Sequence, residues 1–87
     1  MAEWDDLGFV YSSRYRKKVM EVLAIQPCTP TIIAAKTKIR TPHVSRALSE
    51  LEDHGLVVCL TPQRRRGRIY ALTEKGQRLA EKLSRFP

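Results

Sequence analysis

Apolar positions recur along this chain first with a helical rhythm, then with the rhythm of short strands, and finally with a helical one again. Tyr15, Val19, Val22 and Leu23 fall at i, i+4, i+7 and i+8, the spacing of one helix face. Ser12 or Ser13 precedes them as a hydroxyl cap, and Gln26-Pro27 stops this first helix near Ala24. Two Thr-Pro pairs follow, at 29-30 and 41-42. Proline suits the first helical turn, where its missing N–H has no partner to lose, and threonine before it can cap the next amides. The pairs predict a second helix over about 30–36, with Ile32, Ile33 and Ala34 or Ala35 inward. They predict a third over about 42–54, with Val44, Leu48 and Leu51 on one face and Gly55 as its stop.

The pattern then changes. Leu56 to Leu60 is a short, β-branched apolar run, and residues 61–67 (Thr-Pro-Gln-Arg-Arg-Arg-Gly) are polar and turn-rich. Arg68 to Leu72 reads as a second strand, so the segment is a β-hairpin. Thr73 caps a last helix with Leu79, Ala80 and Leu83 as its inner stripe. Residues 1–11 are read as a lead-in carrying Trp4, Phe9 and Tyr11. The predicted class is α+β, mostly helical: three helices, a two-stranded hairpin and a C-terminal helix in one domain, 1–87. That order is the winged helix-turn-helix, with the helix-turn-helix at 30–54, the wing at 56–72 and the closing helix at 73–85.

Length and composition narrow the function classes. The 87 residues suffice for one domain, and 43% hydrophobic with 29% charged residues is the balance of a folded chain. The acidic start lacks the apolar core of a signal peptide, and no apolar run approaches the ~20 residues of a membrane span. A cytoplasmic protein is expected. Cys28 and Cys59 lie far apart, without a CxxC or a nearby histidine pair, so buried thiols are expected rather than a zinc site. No Gly-rich phosphate loop, nucleophile elbow or HExxH is present, which points away from an enzyme and from any cofactor or metal.

Charge then points to a partner. Sixteen basic against nine acidic side chains leave +7. Residues 36–68 hold eight of the bases and three of the acids, a net +5, so the field lies on the helix-turn-helix and wing. With Val44, Leu48 and Leu51 inward, the third helix turns His43, Ser45, Arg46 and Ser49 outward. A helix about 12 Å across fits the major groove, where Arg46 can read guanine with its two-pronged guanidinium. Thr41 and Pro42 open that helix as its caps, adding the positive end of its dipole. Arg64, Arg65, Arg66 and Arg68 crowd the wing, and like charges so placed suit a polyanion such as the minor groove or the backbone. Lys36, Lys38 and Arg40 in the turn, and Arg14 with Tyr15 in the first helix, can meet phosphates, which positions rather than specifies. The expected partner is double-stranded DNA. Two alternatives stay open, a winged helix used as a protein-interaction module and one that binds RNA or unusual duplexes.

Several fragments carry a family resemblance. Ala34 stands where two helices cross, Ile39 plugs the turn, and Val44 anchors the third helix. Val44-Ser45-Arg46-Ala47-Leu48, Leu51-Glu52, Gly55-Leu56-Val57 and 70–76 (Tyr-Ala-Leu-Thr-Glu-Lys-Gly) are similar to the MarR and ArsR families of winged-helix regulators. The resemblance covers residues 12–84. It implies a prokaryotic-type, DNA-binding transcriptional regulator and a possible homodimer built on terminal helices. Trp4, Phe9, Leu83 and Phe86 are then candidate interface residues, unless they close the core. The metal sensing of some ArsR-like proteins would need clustered Cys and His that this chain lacks. Turns of this kind often carry glycine where Lys38 stands; if Lys38 adopts the left-handed conformation, it costs about 1 kcal/mol.

Overall fold

The computed structural model describes the backbone of residues 2–85 and the side chains of residues 5–85. Its elements are α1 (Ala2–Tyr11), α2 (Arg14–Leu23), α3 (Pro30–Thr37), α4 (Thr41–Asp53), β1 (Val57–Cys59), β2 (Tyr70–Leu72) and α5 (Glu74–Arg85). The winged helix-turn-helix order is present, with one helix more than the apolar pattern announced. Residues 2–11, read as a lead-in, form α1. Its inward stripe among the described side chains is little more than Leu7 and Val10, too short to show as a period.

Local chemistry explains most helix boundaries. Ser13 is the N-cap of α2, its hydroxyl accepting from the Arg16 amide at 3.2 Å. Thr29 caps α3 in the same way, accepting from the Ile32 amide at 3.2 Å, with Pro30 in the first turn. At α4 the expected cap is displaced. The cap position belongs to Arg40, whose carbonyl accepts from His43 at 3.0 Å and Val44 at 3.1 Å. Thr41 and Pro42 are therefore helical residues, and no side chain caps α4. Lys38 has φ 61 and ψ 26, so it does adopt the left-handed conformation, and its amide donates to the Ala34 carbonyl at 2.8 Å. Ile39 is buried directly beyond that turn, and Gly55, at φ 71, ends α4.

The core faces differ from the predicted ones in two places. Helix α2 buries Val19, Met20 and Leu23, whereas Tyr15 is 39% exposed and Val22 half-buried. Tyr15 sits in the first turn, beyond the reach of the core. Helix α3 buries Ile33 alone, leaving Ile32 at 45% exposure and Ala35 outside. Eight residues offer room for one inward row. Helix α4 buries Val44, Ala47, Leu48 and Leu51.

The sheet is antiparallel, with Val57 opposite Leu72 and Cys59 opposite Tyr70. On the far side of β2, Cys28 exchanges two backbone hydrogen bonds with Tyr70, of 3.0 and 2.9 Å. Both cysteines are free, Cys28 buried and Cys59 half-buried. They flank Tyr70 two strand spacings apart, roughly 9–10 Å, beyond disulfide reach.

Beside the hairpin, α5 is held tightly. The Thr73 hydroxyl donates to the Gly55 carbonyl at 2.6 Å and accepts from the Gly76 amide at 3.0 Å. A Cβ on Gly76 would stand 2.1 Å from the Leu56 carbonyl oxygen, so only glycine lets α5 approach the start of β1 this closely. Helix α1 is strapped across α2, α4 and α5. Its buried Asp6 pairs with Lys75 at 3.1 Å, and Phe9 stacks on His54 with centroids 3.6 Å apart. The Arg16 guanidinium covers the Phe9 ring at 3.9 Å and bonds Glu50 on α4 at 3.2 Å. Leu83 is part of the buried core and Phe9 packs partly buried against it, while the Trp4 side chain and Phe86 lie outside the described residues. Among the described residues, no helix is long and apolar enough to cross a membrane.

Two substitutions test this packing. Gly76→Ala is expected to cost about 1–3 kcal/mol by overpacking, lowering Tm in circular dichroism by roughly 4–8 °C per kcal/mol. An unchanged Tm would mean that α5 does not rest on Leu56. Lys38→Gly relieves about 1 kcal/mol of left-handed strain, partly offset by a freer unfolded chain. Its urea midpoint should be equal or higher, and a clear fall would contradict the turn geometry.

Candidate nucleic-acid interface

The Cys28–Tyr70 bridge places the start of α3 beside the wing. Between them lies an open groove of about 400 Å³, lined by Pro30 and Thr31 of α3, Thr41 and Ser45 of α4, and Arg65, Arg66, Gly67, Arg68 and Tyr70. Two helix N-termini therefore face an arginine-bearing loop. Helix N-termini carry partial positive charge and free amides, so this is a surface built for an anion. None of α2, α3 and α4 has an acidic residue in its first turn, and nothing there cancels that charge.

The residues read from the sequence separate into groups. On α4, Thr41 and Ser45 line the groove one turn apart, while Pro42, Arg46 and Ser49 are exposed along the same outer side. His43 is exposed too but leans toward α2, where its ring stacks on Tyr15 with centroids 4.9 Å apart and planes 22° from parallel. Such a pair contributes about 0.5–1.5 kcal/mol. Lys36, Lys38 and Arg40 are exposed around the α3–α4 turn, and Arg14 at the start of α2; none of the four lines the groove.

The wing arginines divide in the same manner. The side chains of Arg64, Arg65 and Arg66 are exposed, with no hydrogen-bond or ion-pair partner among the described residues, and Arg46 shares that state. Arg68 is different. Half-buried, it donates to the Arg64 carbonyl and, at 3.4 Å, to the Pro62 carbonyl, closing the loop on itself. Thr61 helps, its hydroxyl accepting from the Ile69 amide at 3.0 Å. Arg68 shapes the wing while its three neighbours are presented by it. Among the described residues, no group of three or more His, Cys, Asp or Glu is placed to hold a metal ion.

The sequence reading missed Pro30, Thr31 and Tyr70 as groove residues. A signal existed in the repeated Thr-Pro pair, which marks two helix starts of the same kind. What brings them to one place is the Cys28–Tyr70 pairing, which has no local signature.

Comparison with known proteins agrees with this architecture. A mutant form of ZitR from Lactococcus lactis superposes with a TM-score of 0.75 at 27% identity, covering 84% of this chain and 51% of that one. NMB1585, a MarR family regulator from Neisseria meningitidis, gives 0.76 at 28% identity, covering 84% and 53%. Another mutant form of ZitR, in complex with DNA, gives 0.72 at 27% identity, covering 84% and 51%. The chain spans about half the length of these proteins. They are MarR-family regulators, as the resemblance read from the sequence implied. No curated protein matches the sequence. A family model described as the HVO_A0261 N-terminal domain matches residues 4–87, and the chain belongs to that family.

Proposed function

We propose that this domain binds duplex DNA and serves a transcriptional regulator, with α4 in the major groove and the wing on the minor groove or the phosphate backbone. One observation carries the reading: the groove in which the starts of α3 and α4 face the unpaired arginines of the wing. The ZitR complex with DNA supports it, being a structural neighbour at 27% identity. In this reading Arg46 reads a base edge from the exposed side of α4, with Ser45 and Ser49 beside it. Thr41, Pro42 and His43 form the turn that leads into the groove. Arg64, Arg65 and Arg66 hold the duplex, and Arg14, Lys36, Lys38 and Arg40 extend the phosphate contacts outward.

The reading makes residues 1–87 a single binding module, acting without catalysis, and includes pairing of two copies on a palindromic site. A second reading, docking of a protein, has one feature in its favour. Val58 and Leu60, 41% and 53% exposed, put apolar side chains on the outer face of the hairpin. Competition of duplex DNA against RNA at matched salt separates the nucleic-acid partners, and duplex binding that ignores salt would favour the protein partner.

Arg46→Ala is expected to cost about 1–3 kcal/mol on a site selected from random duplexes and to relax preference at one base pair. Full retention of preference would remove Arg46 from base reading. Replacing Arg65 and Arg66 together by Ala should weaken all sequences alike and reduce the salt slope by about one unit per lost phosphate contact. A loss confined to the selected site would show that the wing reads sequence instead.

A further inference from the structure

We propose that Tyr15 is a positioning residue: by stacking on His43 it holds the plane in which that imidazole, in the first turn of α4, meets a base. This rests on the duplex reading above and adds a residue outside the helix-turn-helix to it. The nitrogens of an imidazole make hydrogen bonds in the plane of the ring, so a ring held in one plane can meet a partner only along that plane. An exposed histidine at a helix start would otherwise sample several rotamers. Here the Tyr15 ring lies 4.9 Å away and 22° from parallel, a stack that favours one of them.

Tyr15 is poorly explained as a core residue. It is 39% exposed, stands apart from the buried cluster, and stacks its ring on His43. Its platform is nonetheless firm relative to α4. The next residue, Arg16, bonds Glu50 on α4 at 3.2 Å, and α2 is anchored through Val19, Met20 and Leu23. The two helices are thus linked near both ends of α4, by an ion pair at one and a ring stack at the other. The buried residues of α2 and α4 set the distance between the helices, the ion pair adds a link at one end, and the stack holds a side chain at the exposed surface of the other.

The test uses the full chain in two measurements, with thermal unfolding to verify that each variant is folded. The first records the imidazole C–H resonances of His43 by NMR. Tyr15→Ala should shift them by removing the ring current of its neighbour, and Tyr15→Phe should largely preserve them. The second compares base preference on sites selected from random duplexes. Tyr15→Ala should reduce discrimination at the base pair affected by His43→Ala, by about two- to tenfold, the worth of one stack. Preference at the Arg46 position and the salt slope should stay unchanged, and Tyr15→Phe should restore discrimination. The double variant should be no worse than His43→Ala alone.

Unmoved resonances in Tyr15→Ala would overturn the stack itself. Additive losses in the double variant would overturn the positioning role. A Tyr15→Phe variant as weak as Tyr15→Ala, on all sequences alike, would make the tyrosine hydroxyl a phosphate contact instead. If Arg46→Ala alters preference while Tyr15→Ala does not, positioning fails and the duplex reading stands. A chain that binds no duplex at all overturns both.

Discussion

The pair of backbone hydrogen bonds between Cys28 and Tyr70 is the constraint on which the candidate interface depends. Each such bond is worth only about 0.5–1.5 kcal/mol net, yet the pair fixes position as well as energy. It makes the segment before α3 a third pairing partner on the hairpin, so the start of α3 cannot drift from β2. The groove between Thr31, Thr41 and the wing follows from that placement. Without it, the sheet would be two strands only, and the start of α3 would not be tied to the strand that follows the arginine loop.

A second junction holds the wing at its other end. The carbonyl of Leu56 accepts from the Thr73 amide at 3.0 Å and lies against Gly76, while the Leu56 amide donates to Leu51 at 3.0 Å. The exit of α4, the start of β1, the end of β2 and the start of α5 are thereby gathered around one residue. Helix α1 adds a strap over the far side through Asp6, Phe9 and their partners. The presentation of α4 and of the wing is consequently a property of the whole domain, because both are set by contacts made outside the groove.

Arginine serves two purposes here, and geometry distinguishes them. Arg16 and Arg68 commit their guanidinium groups inside the fold, on Glu50, on backbone carbonyls and on the Phe9 ring. Arg46, Arg64, Arg65 and Arg66 have none of these partners and add their charge to uncancelled helix dipoles. The charge of Arg68 stays uncancelled by its carbonyl partners, but only the second group has a guanidinium without partners in the fold. A count of basic residues merges the two, and the loop-bracing bonds of Arg68, which also lines the groove, show only in the structure.

Much of the fold was legible in the residues. The Thr29-Pro30 start, the Ser13 and Thr73 caps, the Gly55 stop, the left-handed Lys38 and the arginine-tipped hairpin are local events, governed by residues a few positions apart. The apolar face of α4 was equally plain, since thirteen residues show a full period. Helix α1, the outward turn of Tyr15 and Ile32, and the bracing role of Arg68 were not legible. Each is decided by what lies across from it, not by what precedes it in the chain. The order of elements, their caps and the placement of charge are written along the chain, because they depend on short-range backbone chemistry and composition. Which arginines are free, which helix starts share a groove and which ring holds His43 emerge only when the chain is folded. Those outcomes depend on distances between segments far apart in the chain, and nothing in local spacing encodes such distances.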